Sequence, residues 1–177
     1  MVVLLGSAAC DSAPGAKASP LPTPTASAPT DSGTPSPAAT AAPSPPPPAA
    51  TCGDPVAHVY HAYRLQLIDR CRTVTGVVVA VVSEADGDYH VRLMVDPQFQ
   101  DMLRPANTSG EHGDLVLEPI CQHQVTQADA VAPCGGGLPL IPIPPIGTHV
   151  SATGAYVLDL QHGGWAELHP LFEIHAG

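Results

Sequence analysis

The chain has 177 residues and a formal net charge of −10, with 22 Pro, 16 Gly and five Cys. Twelve of the prolines fall in residues 11–50, so the stretch able to bury a core is residues 52–177, the size of one small domain. That stretch holds fourteen Asp and Glu against five Arg and no Lys, which excludes a nucleic-acid partner, because affinity for a phosphate backbone is carried by clustered Lys and Arg.

The chain opens with a short apolar run, Met1-Val2-Val3-Leu4-Leu5-Gly6, followed by Ser7-Ala8-Ala9-Cys10. An apolar run, small residues and then Cys before a polar low-complexity stretch resembles the end of a bacterial lipoprotein signal peptide. The resemblance implies that residues 1–10 are a signal and lipobox remnant. Cys10 would carry the lipid and become the mature N-terminus. Ser7 stands where the family prefers Leu, and a basic n-region is missing. Six apolar residues are also too few for a full signal core, which is expected if the true start lies further upstream. The alternative is an ordinary secretory signal fragment with an incidental Cys. Either way the expected address is outside the cytosol, and with the lipid it is the extracytoplasmic face of the membrane.

Residues 11–51 contain no aromatic residue and one bulky aliphatic, Leu21. Such a segment cannot bury enough apolar surface to offset the entropy of ordering, so a disordered Pro-rich stalk is expected. Forty residues of polyproline-like chain span on the order of 120 Å, against roughly 35 Å for a flexible coil.

With Cys10 lipidated, four cysteines remain: Cys52, Cys71, Cys121 and Cys134. Four allow three connectivities, and Cys52–Cys71 with Cys121–Cys134 is favoured because each closes a short local loop. A zinc–thiolate site is disfavoured, since the chain has no Cys-x-x-Cys pair.

Within residues 52–177, Pro55–Arg70 reads as a loop or helical turn leading into a short strand at Arg64–Leu67. Arg72–Val82 is a Val- and Thr-rich strand, with Gly76 as a bulge or close-approach point. Asp86-Gly87-Asp88 makes a hairpin turn. In the next strand Tyr89, Val91, Leu93 and Val95 share one face, and Asp88, His90 and Arg92 the other. A short helix is expected over Pro97–Leu103 and a third strand over Gly113–Glu118. The long irregular stretch Cys121–Pro145 follows. The fourth strand is His149–Asp159, and the fifth runs Trp165–Phe172 or slightly beyond, bent at Pro170.

Five strands with small helical additions predict an all-β domain, a five-stranded OB-like Greek-key barrel. The helix precedes the third strand, where the usual OB layout places it after, and an SH3-like barrel or small sandwich is the alternative. The runs Cys71–Val78, Asp86–His90, His112–Pro119, Gly154–Asp159 and His162–Pro170, the last reading His-Gly-Gly-Trp-Ala-Glu-Leu-His-Pro, resemble a family of bacterial exported proteins without an assigned activity. These look OB-like and stand behind low-complexity stalks. The resemblance implies the fold and no particular chemistry.

Two polar constellations carry the chemical expectations. His90, His162, Glu167 and His169 are candidate ligands for Zn²⁺ or Mn²⁺, because imidazole with carboxylate suits those ions. A metal-activated water would then make the domain a hydrolase. Asp88, Arg92 and Trp165 are candidate ligand-binding neighbours. A structural alternative has His169-Pro170 capping the strand and Glu167 pairing with Arg92 or Arg72. The second constellation is His58 and His61, which would share a face if helical; the alternative is a segment that packs its tyrosines on the barrel.

No Gly-x-Ser-x-Gly elbow or phosphate loop is present. Asp86-Gly87-Asp88 resembles a turn of staphylococcal-type nucleases, but the arginines such enzymes need are not placed beside it. The leading expectation is therefore a membrane-tethered, non-enzymatic binding or interaction module with a protein or small-molecule partner and no firm cofactor. A metal-dependent hydrolase and a structural envelope lipoprotein are the alternatives.

Overall fold

A computed structural model of the chain describes residues 52–177. Cys10, the signal remnant and the Pro-rich linker lie outside the described residues. The domain is built from five strands: β1 (Leu65–Ser83), β2 (Tyr89–Val95), β3 (Leu115–Leu117), β4 (His149–Asp159) and β5 (Trp165–Ala176). The helical content is small. One α-helix, α1 (Pro105–Gly110), and 3₁₀ turns at Ala62–Arg64, Pro97–Met102 and Leu160–His162 complete it. Among the described residues no helix is long and apolar enough to cross a membrane.

The strands close on themselves in the order β1-β2-β3-β5-β4. All pairings are antiparallel except β3 with β5, where Val116 sits opposite Glu167 and Leu117 opposite Leu168 in parallel. The long β1 serves two neighbours, pairing with β4 from Leu65 to Val77 and with β2 from Gly76 to Ser83. The handover falls at Gly76, and a Cβ there would stand 2.4 Å from the Met94 carbonyl oxygen. The expected role of Gly76 is thus close approach; the bulge itself lies between Val78 and Ala80. Gly154 does the same against β5, where a Cβ would meet the Pro170 carbonyl at 2.7 Å.

Period-2 alternation fills the interior. Val91, Leu93 and Val95 of β2 are buried, as predicted, against Val74, Val78, Leu115, Leu117, Val150, Ala152, Ala166 and Leu168. Tyr89 packs at the margin of this core. Asn107, fully buried in α1, ties the helix to the sheet. Its amide donates to the Asp114 and Ala166 carbonyls and accepts from the Ala166 N–H.

The outer face of β5 is covered as well. Glu167 and His169 alternate with the core residues and are nonetheless buried. The segment before β1 and the long β3–β4 connection lie over this strand. Gly53, Ala57, His58, Ile120 and Leu138 meet Pro170, Leu171 and Phe172 around one small crevice.

Both expected disulfides are present, Cys52–Cys71 and Cys121–Cys134, closing sequence separations of 19 and 13. The second bridge lies inside the β3–β4 connection. That connection is held further by main-chain bonds from Gln122 and His123 to Gly87 and from Thr126 and Gln127 to Ala85.

β2 and β4 have the predicted limits. The short strand expected at Arg64–Leu67 and the strand expected at Arg72–Val82 are one continuous strand, β1, from Leu65 to Ser83. Its first half alternates poorly because much of it faces solvent, and its partner β4 supplies the order. β3 shrinks to Leu115–Leu117, and β5 runs on to Ala176. Pro97–Met102 winds as a 3₁₀ helix, and α1 was not anticipated.

Candidate functional site

The ends of β1 and β4, the starts of β2 and β5, and the residue following β3 meet at one end of the ring. Here the β1–β2 turn faces the β4–β5 connection across a cleft of about 220 Å³. Glu84 and Asp86 come from the turn, His90 from β2, Glu118 from just past β3, Gln161 and His162 from the connection, and Trp165 and Glu167 from β5. Tyr60, His61 and Arg64, preceding β1, complete the lining.

His90 is clasped by carboxylates on both ring nitrogens. Nδ1 lies 2.9 Å from Glu118 Oε1 and Nε2 lies 2.9 Å from Glu111 Oε2. A third carboxylate, Glu84, stands 3.9 Å from Nδ1. Burial opposes charge on the ring, but the bonds to Glu118 and Glu111 outweigh it and raise the His90 pKa to about 9. His90 is thus an imidazolium donating from both nitrogens. Glu118 is pushed well above the usual carboxylate range by burial, which His90 only partly offsets.

Next to it on β5, Glu167 accepts from Trp165 Nε1 on one oxygen and from His169 Nδ1, at 3.0 Å, on the other. Burial works against charge on His169, but Glu167 raises its pKa above the ordinary imidazole value. His169 Nε2 is the one buried side-chain nitrogen or oxygen among the described residues without a hydrogen-bond partner. Glu167 pairs with neither Arg92 nor Arg72, and His169 lies inside β5 rather than capping it.

The β4–β5 connection is organised by Asp159, which is wholly buried. Its carboxylate accepts from the Gln161 and His162 N–H groups and pairs with Arg64 and with His162 Nδ1, the latter at 2.9 Å. This fixes the His162 ring, which stacks on Trp165 with centroids 4.3 Å apart and planes 12° from parallel. The result is a flat aromatic wall. His90 meets the same indole edge-on at 5.8 Å.

Of the four predicted metal ligands, His162 and Glu167 fall in one grouping with Asp159, and His90 falls in a second with Glu84 and Glu118. His169 belongs to neither. Among the ligand-binding candidates, Trp165 lines the cleft, and His61 lines its rim, stacked on Tyr60. Arg92 stands 3.8 Å from Asp114. Asp88 is buried and anchors the long connection, its Oδ1 accepting from the Cys121 N–H at 2.5 Å and its carbonyl from His123. Burial raises the Asp88 pKa to about 6 despite the Cys121 bond. His58 and His61 do not share a helical face. Both have left-handed backbones, and His58 turns away to the Pro133 carbonyl.

Glu84, Glu111, Glu118, Arg64 and Asp159 are the site residues that sequence reasoning missed. For Asp159 a signal existed: an Asp ending a strand three residues before a His, with Gly163-Gly164 beyond, is the pattern of a helical-turn cap. Glu118 carries no such local signal, since its burial depends on β3 meeting β5.

The ring and its cleft define a small disulfide-bonded β domain with a polar, aromatic-walled recess formed by two connecting loops. No protein-family model matches the chain, and no curated protein or solved structure matches it either.

Proposed function

We propose that this is an extracytoplasmic, membrane-tethered binding module that takes a small ligand in the cleft between the β1–β2 turn and the β4–β5 connection. The observation that carries the reading is the convergence on one recess of a stacked His162–Trp165 wall with Arg64, Gln161 and the Glu84/Asp86 turn. The strand order, with β1 shared between β2 and β4 and β3 parallel to β5, supports an OB-like Greek-key barrel. In that fold these same two loops flank the ligand, a support by analogy. Four carboxylates, Glu84, Asp86, Glu118 and Glu167, line the cleft alongside Arg64, so a neutral polyhydroxyl or cationic ligand is favoured over an anion.

Trp165 is the only tryptophan in the chain and reports on the wall directly. Full-length protein is screened by thermal shift against sugars, amines and amino acids, and each hit is titrated against Trp165 emission. A hit is expected to move the emission and to weaken at least about tenfold in His162→Ala. Hits that leave the emission unmoved and bind His162→Ala unchanged would overturn the reading. The tether is tested separately: Cys10→Ala should shift the protein from the membrane fraction to the soluble one.

A second reading, a metal-dependent hydrolase, is supported by the two His/carboxylate groupings at the cleft, which hold His90, His162 and Glu167 of the expected set but not His169. It predicts that chelation abolishes ester or phosphoester hydrolysis. No loss on chelation would remove it.

A further inference from the structure

Three groupings of His, Cys, Asp and Glu bring donor atoms within 4.8 Å of one another: Asp88/Cys121/Cys134, Asp159/His162/Glu167 and Glu84/His90/Glu118. They are not equivalent. In the first, both sulfurs are joined to each other as a disulfide, so no thiolate is on offer. In the second, the Asp159 carboxylate is already neutralised by Arg64 and saturated by two backbone N–H groups, and Glu167 is spanned by Trp165 and His169.

The third differs on each count. Ligand atoms about 2.0–2.1 Å from a tetrahedral ion lie roughly 3.3 Å from one another. His90 Nδ1 stands 2.9 Å from Glu118 Oε1 and 3.9 Å from Glu84 Oε1, distances that bracket this value. The opposite ring nitrogen, Nε2, is held by Glu111 at 2.9 Å. A carboxylate on the far side of a histidine is the outer support that metal-bound imidazoles ordinarily have, since it fixes the ring and its tautomer. Three carboxylates, Glu84, Glu111 and Glu118, surround this one imidazole. Glu84 is 43 % exposed and the cleft opens beside it, which gives an entry path.

We propose that Glu84, His90 and Glu118 form a three-ligand site for a divalent transition ion of the Zn²⁺ or Mn²⁺ type, with Glu111 orienting His90 and the remaining position facing the cleft. One imidazole with two carboxylates suits such an ion better than Ca²⁺ or Mg²⁺. The inference rests on the reading of the cleft as the binding site and specifies what it holds. It replaces the four-residue set expected from the sequence and keeps only His90 from it. His162 and Trp165 become the wall facing the ion's open position rather than ligands.

The test is equilibrium dialysis of chelator-treated, full-length protein against Zn²⁺ alone, followed by elemental analysis. One Zn²⁺ per chain is expected. Glu84→Gln is the decisive variant, because the exposed Glu84 side chain makes no hydrogen bond whose loss would unfold the domain. It should weaken Zn²⁺ at least about tenfold while leaving Trp165 emission native. His90→Gln should abolish binding and His162→Ala should leave it within about twofold. Absence of stoichiometric Zn²⁺, or affinity unchanged in Glu84→Gln, overturns the site. So does loss in His162→Ala with Glu84→Gln unaffected. An organic ligand that moves Trp165 emission in metal-free protein that fails to take up Zn²⁺ would leave the cleft reading intact and remove the metal alone. Stoichiometric Zn²⁺ with no organic ligand found would do the reverse.

Discussion

At the scale of single residues, Asp159 sets the geometry of the β4–β5 connection; its sequence neighbours show the turn it caps but not its burial. One carboxylate orients Arg64, His162 and two backbone N–H groups. Removing its charge leaves Arg64, whose side chain is mostly buried, without a counter-ion. Asp159→Asn is expected to destabilise the domain by about 3 kcal/mol, read from urea unfolding. It should also loosen the His162–Trp165 stack, seen as a shift in Trp165 emission. The predicted polar face of β2 was legible from period-2 alternation. Who partners whom was not. Glu118 and Glu111 reach His90 only because β3 and its preceding turn are brought beside β2, a long-range event that leaves no local trace.

Among the elements, those with strong alternation and clear turn residues were read correctly, β2 and β4 to the residue. The join between the two expected strands of β1, residues 68–71, was not legible because its side chains are largely exposed and its pairing with β4 holds it. α1 was missed because its six residues, Pro-Ala-Asn-Thr-Ser-Gly, look like a loop; the buried Asn107 makes it a helix by bonding to β5 and to the turn before β3. Gly76 was recognised as special, and its reason is the Met94 carbonyl. Gly76→Ala must force two strands apart at backbone level, so a loss of about 3 kcal/mol is expected by denaturant melts. The disulfides were legible from spacing alone. Replacing Cys121 and Cys134 together by Ser should cost about 3 kcal/mol on the chain-entropy model. It should also make the stretch between Gln122 and Ile146 the first site of proteolytic nicking; cleavage elsewhere first would show that the bridge does not hold that connection.

For the whole molecule, four ionisable groups, Asp88, His90, Glu118 and His169, push in one direction with pH. His90 is raised from 6.5 to about 9 and Asp88 from 3.8 to about 6, while Glu118 and His169 are also raised. A pKa that is higher folded than unfolded means that the folded state binds more protons. The His90 contribution is therefore complete below pH 6.5 and lost as pH rises through 9. The Asp88 contribution is complete below 3.8 and lost through 6. In chelator-treated protein the melting temperature should fall by about 5 °C or more between pH 6 and pH 9. His90→Gln should flatten that slope, and a profile flat or rising over the interval would contradict the assignment of these charges.

The parallel seam between β3 and β5 also has a consequence for how the polypeptide is made. It joins residues about fifty positions apart, and the last strand is the one that bridges β3 to β4. A ribosome releases the N-terminal hairpin first, and that hairpin must wait with bare flanks until the C-terminal tail arrives to shut the circle. A transcript cut short before Trp165 would thus yield sticky, sheet-prone debris instead of a smaller working version of the domain.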